Sequence, residues 1–417
     1  MEIKRDIYLD KLIRKQKNGL IKTVTGVRRC GKSYLLFQLF HDYLLSNDIP
    51  EDHIIEIALD DRTNIALRNP DAILQFIKNK VRNTDDYYII LDEVQYLDEF
   101  EDVLNSLLHI KNADVYVTGS NSKFLSSDVI TQFRGRGDEI RVHPLSFAEY
   151  LPVYSGTQDE AWDDYFVYGG LPLILSMKTP SDKADYLDSL FREVYISDII
   201  ERHSIRNKAE LDELVDILAS AIGGYTNPSK LVKTYKSVKG KTISDKTIKN
   251  YIDYLIDSFL VNKAVRYDIK GRKYIGALSK YYFEDIGLRN ARLGFRQVEQ
   301  THIMENIIYN ELRIRGYHVD VGMVEHYQTT TEGKREKRQL EVDFIATCGS
   351  EKYYIQSAFA LSTQEKAEQE QRSLLSISDS FRKIIIVGDN IKVRRDESGI
   401  TTIGLRNFLL DKDSLKF

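Results

Sequence analysis

The segment Gly26-Val-Arg-Arg-Cys-Gly31-Lys32-Ser33 constrains this chain more than any other. It is a complete GxxxxGK[ST], preceded by the apolar run Ile21 to Thr25 and followed by Leu35, Leu36, Leu39, Phe40 and Leu44 at helical spacing. Strand, glycine loop and helix in that order form a phosphate cradle. Glycines let the loop wrap until backbone N–H groups face phosphate oxygens, and the helix start adds partial positive charge. The candidate phosphate contacts are Gly26, Val27, Arg28, Arg29, Cys30, Gly31, Lys32, Ser33 and Tyr34. Lys32 is placed to reach the β and γ phosphates, and the Ser33 hydroxyl to complete a Mg²⁺ shell.

A second motif, Tyr87-Tyr-Ile-Ile-Leu-Asp92-Glu93, is an apolar strand ending in two carboxylates. Asp92 suits a Walker B role, holding Mg²⁺, and Glu93 that of a general base polarising water. A third strand, Val115-Tyr-Val-Thr118, runs into Gly119-Ser120-Asn121, where a polar side chain can contact a γ-phosphate or the lytic water; a plain capping turn is the alternative. Arg136, in Arg134-Gly-Arg136-Gly, is a candidate arginine finger in its own site or a neighbour's, with Arg134 as competitor and a surface arginine as the bland alternative. No NKxD element marks guanine, since Asn262-Lys-Ala-Val265 fails at its last position, so ATP is the expected nucleotide.

At 417 residues the chain is long enough for several folding units. Hydrophobic residues at 42% and charged residues at 29% describe a chain able to bury a core, and a net charge of -4 excludes a uniformly basic coat. Cys30 and Cys348 make neither a disulfide framework nor a zinc cluster, which points to a reducing cytosol. No apolar run reaches the roughly 18 residues of a membrane span, so a cytoplasmic location without membrane contact is expected.

The apolar pattern predicts strands near 21–25, 54–59, 87–92, 115–118 and 139–143 within a core at 1–155. Helical periodicity dominates 156–225, a helical lid interrupted by Tyr168-Gly-Gly-Leu-Pro172. In 226–295 a helix, a second helix capped by Ser244, and two strands around Gly271 make a winged-helix pattern. A smaller α/β domain at 296–417 shows a helix with Ile303, Ile307, Ile308 and Leu312, strands near 317–322, 342–346, 353–357 and 384–387, and a charged helix near 363–376.

These motifs, with Pro144-Leu-Ser-Phe-Ala-Glu-Tyr150, Glu284-Asp-Ile-Gly-Leu-Arg-Asn290, Arg315-Gly-Tyr317 and Glu341-Val-Asp343, resemble prokaryotic ATPases with an AAA-type N-terminal domain fused to a C-terminal domain of unassigned function. The resemblance implies an α/β P-loop NTPase fold with an additional strand between the Walker A and Walker B strands, then a winged helix and a restriction-endonuclease-like domain.

Between 227 and 280 the chain carries thirteen Lys or Arg, Lys280 among them, against four Asp, a local charge of +9. That asymmetry makes duplex DNA the expected partner, with Lys246 and Lys249 at the second helix and Lys270, Arg272 and Lys273 at the wing as contacts. A solvated protein-binding face is the alternative. Further on, Glu305, Asp343 and Gln356 are similar to the PD-(D/E)XK nuclease pattern, but Ala358 stands at the lysine position and Gln356 replaces an acid. Glu341 shares Asp343's face by strand alternation and is a weak substitute. The expectation is an inactive fold that binds a protein partner. The whole reads as an ATPase coupling hydrolysis to conformational change, with a low-turnover ATP-dependent switch as runner-up and an ATP-gated nuclease last. A finger acting between chains would make the protein a homo-oligomer; the sequence leaves this open.

Overall fold

In the computed structural model, residues 2–119, 136–239, 243–329, 335–361 and 363–416 are described, and the chain divides into two compact units. The first holds Met1–Pro144 with Leu171–Leu173 and Asp257–Phe259. The second holds Leu145–Gly170, Ile174–Ile256 and Leu260–Phe417.

Strands β1 (Ile21–Thr25), β2 (Ile54–Ala58), β3 (Tyr87–Asp92), β4 (Ala113–Thr118) and β5 (Gly137–Arg141) build the sheet of the first unit. They run parallel in the order β2-β3-β4-β1-β5. β4 therefore stands between the strand that bears the loop and the strand that bears the acids. β1 and β3 are buried from end to end, as strands of a sheet covered on both faces must be. Ile73 and Ile77 of the helix Pro70–Lys80, and Val103, Leu104 and Leu107 of the helix Phe100–Leu107, pack with Ile57, Leu91 and Val117. Asn69 caps the first of these helices by accepting from the Ala72 N–H at 3.0 Å, and Pro70 sits in the first turn, where no donor is required.

β5 lies two residues before its expected position, because Gly137 and Asp138 pair with Ile21 and Lys22. Such polar residues carry no apolar signal; Lys15 and Asn18 hold the Asp138 carboxylate instead. The helix after the loop runs from Lys32 to Ser46 and includes a π-helical stretch over Leu35–Phe40.

The second unit is built on β6 (Tyr225–Thr226), β7 (Val261–Asp268), β8 (Lys273–Phe283), β9 (His318–Thr329), β10 (Arg335–Cys348), β11 (Glu351–Ala358), β12 (Arg382–Val387), β13 (Arg394–Arg395) and β14 (Ile400–Gly404). Their order is β13-β14-β12-β11-β10-β9-β7-β8-β6. One sheet thus runs through both 226–295 and 296–417, joined where Arg266–Asp268 of β7 pair in parallel with Val321–Met323 of β9. Helices Lys208–Ser220, Pro228–Lys239 and Asp245–Asp257 precede β7. Ser244 accepts the Thr247 N–H at 3.0 Å, and Ile248, Tyr251, Ile252 and Leu255 are buried, as the stripe predicts.

β9 and β10 are much longer than expected. Their outer arms pair Glu325–Gln328 with Glu336–Gln339, polar residues that show no alternation. The sequence reading omits β14, whose apolar signal is only Ile400 and Ile403. Two motifs far apart in sequence meet in one packing hub. Buried Asp285 accepts the Gly170 N–H at 2.8 Å and the Leu288 N–H at 3.0 Å, and Asn290 donates to the Val167 carbonyl at 2.8 Å. A Cβ on Gly287 would stand 2.0 Å from the Tyr168 carbonyl oxygen, so glycine is required there.

Candidate nucleotide site

β1 ends at Thr25 and the loop begins at Gly26, where φ is 140° and a Cβ would stand 2.1 Å from the Val142 carbonyl oxygen. Only glycine passes. Gly31, at φ 98°, opens the helix, and Arg29 takes φ 65°, the left-handed region. Lys32 is buried, its Nζ donating to the carbonyls of Gly26 at 3.0 Å and Val27 at 3.1 Å, which puts the ammonium inside the loop. Val27 and Cys30 are buried, Arg28 and Tyr34 half-buried, Arg29 and Ser33 exposed. The Cys30 thiol donates to the Val142 carbonyl at 3.4 Å. Beneath the loop, Arg5 donates from Nη1 to the Cys30 carbonyl at 3.1 Å and from Nη2 to the His143 carbonyl at 2.6 Å. Sequence reasoning missed Arg5, since nothing local distinguishes it from its charged neighbours.

Asp92, at the end of β3, is 5% exposed and receives hydrogen bonds from the hydroxyls of Thr118 and Ser33. Burial pushes its pKa up; the two hydroxyls oppose the rise, and the charge of Glu93 adds to it. Glu93 breaks the strand with φ 51°, and such strained backbone is concentrated at functional sites. Its N–H donates to Thr118 Oγ1 at 2.9 Å, and the Gln95 side-chain amide donates to its carboxylate. Thr118 at the tip of β4 therefore joins the two acids. Ser120, Asn121 and the competing Arg134 lie outside the described residues.

Arg136 is exposed, and its carbonyl accepts the Ile21 N–H at 2.9 Å. It stands at the amino edge of the sheet, whereas the loop leaves the carboxyl edge of β1. Four strand residues at about 3.3 Å each make roughly 13 Å of separation along the strand, beyond the reach of its side chain. This position separates Arg136 from the loop of its own chain; it agrees with a role between chains and equally with the surface-arginine alternative.

Lys246 and Lys249 are exposed on the helix Asp245–Asp257, and Lys270, Arg272 and Lys273 are exposed at the β7–β8 turn. A cavity of about 370 Å³ between the helix and the hairpin is lined by Asn227, Ser229, Lys249, Asp253, Lys263 and Tyr281 among others. Lys280, counted above with the basic face, does not belong to it: only 2% exposed, it is paired with Glu305 and Glu341. Of the nuclease-like residues, Glu305 and Asp343 are buried close enough to act on each other electrostatically, and Asp343 lies at an irregularity in the β9–β10 register. Burial first, then the Glu305 charge, drives the Asp343 pKa well up. Gln356 is bonded elsewhere, donating to Glu370 at 3.1 Å and accepting from Ser373 at 3.4 Å. Ala358 is buried on β11.

Residues 18–151 match the family described as AAA domain; 159–299 and 300–408 match two families described as domains of unknown function. Over 414 residues the chain is 32% identical to an uncharacterized protein of Haemophilus influenzae, covering 98% of each. The chain belongs to that protein's family. An uncharacterized protein of Methanocaldococcus jannaschii is 28% identical over 405 residues, covering 94% of this chain and 84% of its own length. Among solved structures, the Aeropyrum pernix ORC1 protein in complex with DNA aligns with a TM-score of 0.33 and 13% identity, over 70% of this chain and 93% of that one. AMPPCP-bound DnaA from Aquifex aeolicus aligns with a TM-score of 0.30 and 12% identity, over 60% of this chain and 86% of that one. The family match, the strand order and the loop agree that the first unit is an AAA-type P-loop domain, a nucleotide-binding fold. No helix among the described residues is long and apolar enough to cross a membrane.

Proposed function

We propose that this protein binds ATP with Mg²⁺, hydrolyses it, and couples turnover to a conformational change acting on DNA or a DNA-bound partner. The observation that carries the proposal is the pairing of an intact phosphate loop with Asp92 and Glu93, both tied to Thr118. Loop amides and the Lys32 ammonium hold the β and γ phosphates. The residues fit a divalent cation: Ser33 and Asp92 are hydrogen-bonded to each other, and burial disfavours the Asp92 charge, which a cation would relieve. Bound there, Mg²⁺ would supply positive charge against the phosphate oxygens. Glu93 orients a water and takes its proton as the oxygen attacks the γ-phosphorus, and the bond to the β,γ-bridging oxygen breaks to release ADP and phosphate. Arg136 of a neighbouring chain would add transition-state charge, making the working form a homo-oligomer.

The order helix, β6, helix, helix, β7, β8, with β6 and β7 both paired to β8, supports a winged helix in 226–295. Its exposed Lys246, Lys249, Lys270, Arg272 and Lys273 support contact with DNA phosphates. In 296–417 the nuclease-like fold is retained as a binding domain without cleavage, because Ala358 supplies no cation.

One observation favours the low-turnover switch: the Gln95 amide already occupies the Glu93 carboxylate. The ATPase rate with and without duplex and single-stranded DNA separates the readings. Stimulation by DNA, lost in a Glu93→Gln protein that still binds ATP, supports the remodelling ATPase; slow, DNA-indifferent turnover that Gln95→Ala accelerates supports the switch. Glu93→Gln turning over at the parent rate would remove the base from Glu93.

A further inference from the structure

The carboxylates of the second unit carry their own cation. Lys280 lies toward the end of β8, and its Nζ stands 2.9 Å from Glu305 Oε1 and 2.6 Å from Glu341 Oε1. Tyr282, two residues along the same strand and so on the same face, donates to Glu305 Oε1 at 2.6 Å. Tyr225, on β6, presents its ring 5.6 Å from the ammonium and hydrogen-bonds Glu341. Asp343, on β10, is also buried and accepts the Ser357 N–H at 2.8 Å. Donors from β6, β8 and β11 thus converge on acids from β10 and the helix Gln300–Ile314.

The nuclease pattern that Glu305 and Asp343 resemble implies a divalent metal, and these residues do not fit one. A metal needs room for several ligands, and an ammonium already fixed on the same carboxylates repels a second cation there. Here Glu305 Oε1 already takes an ammonium and a phenol, Glu341 Oε1 takes the ammonium, and Asp343 Oδ2 takes an amide. Gln356 points its hydrogen bonds at Glu370 and Ser373. Among the described residues no group of three or more His, Cys, Asp and Glu is arranged to hold a metal ion.

We propose that Lys280 is a resident cation: its ammonium stands in for the divalent metal and makes the acidic cluster a clamp binding β8 to the helix Gln300–Ile314 and to β10. Removing one partner of a buried ion pair leaves the other charge uncompensated and costs far more than the pair contributes net. The clamp is independent of the nucleotide reading.

The test is Lys280→Met in the full chain, without nucleotide. The melting temperature should fall by roughly 10 °C, and Mn²⁺ should recover part of the loss in the variant while leaving the parent unchanged. Should that variant fail to fold, the parent and Asp343→Asn decide. An electron-paramagnetic-resonance titration with Mn²⁺ should be the same for the parent and for Asp343→Asn. Mn²⁺ binding that vanishes in Asp343→Asn, Mn²⁺-dependent DNA cleavage by the parent, or a Lys280→Met protein as stable as the parent would each overturn the clamp.

Discussion

The Thr118 hydroxyl donates to the Asp92 carboxylate while its oxygen accepts the Glu93 N–H at 2.9 Å. One side chain on β4 thereby sets the positions of both acids at the end of β3. Thr118→Val keeps the shape and removes both bonds. Hydrogen bonds to charged groups are worth about 1.5–3 kcal/mol, so the turnover rate should fall roughly 10- to 100-fold with nucleotide affinity little changed. Thr118→Ser should restore most of it. Steady-state phosphate release and a nucleotide titration on the three proteins check this; a Val variant at the parent rate would mean the acids are held by other contacts.

The proposed role of Arg136 on a neighbouring chain predicts a site completed between chains. Lys32→Ala should lose nucleotide binding, because the loop loses the ammonium it encloses. Arg136→Ala should bind nucleotide and hydrolyse slowly. Mixing the two should restore part of the activity, and parent specific activity should rise with protein concentration. A rate independent of concentration, without rescue on mixing, would leave Arg136 no catalytic role.

The basic hairpin predicts salt-dependent affinity for duplex DNA. Replacing Lys270, Arg272 and Lys273 together by Ala should reduce the log–log salt slope by up to about 2.7, at about 0.9 per phosphate contact. Fluorescence anisotropy over a salt series measures this. An unchanged slope would assign the hairpin to a protein partner.

Asp285 predicts a pH dependence of stability. Burial raises its pKa from 3.8 to about 6, against the N–H groups of Gly170, Leu288 and Gly287 that bond its charged form. The folded state therefore holds a proton that the unfolded chain releases, so this group's contribution is complete below about pH 4 and is lost as pH rises through about 6. The loss is of the order of 3 kcal/mol. Urea unfolding at pH 4, 5, 6 and 7 should show the parent losing stability across that window relative to Asp285→Asn. Parallel curves would refute the shift.

The phosphate loop, the acidic end of β3 and the apolar stripes of the helices were legible because each is a contiguous signal: a short motif or a period that neighbouring residues create among themselves. The nine-stranded sheet was not, since the outer arms of β9 and β10 pair polar residues whose order comes from each other across the hairpin. Arg5 beneath the loop, Thr118 between the acids, the edge position of Arg136 and Lys280 among the carboxylates escaped for the same reason. Lys280 is 25 residues from Glu305 and reads in one dimension as one more lysine in a basic stretch. Sequence alone determined that this chain has an AAA-type loop and where its acids begin. The tertiary structure decided which charges meet, because a buried charge takes its role from the partner that folding places beside it.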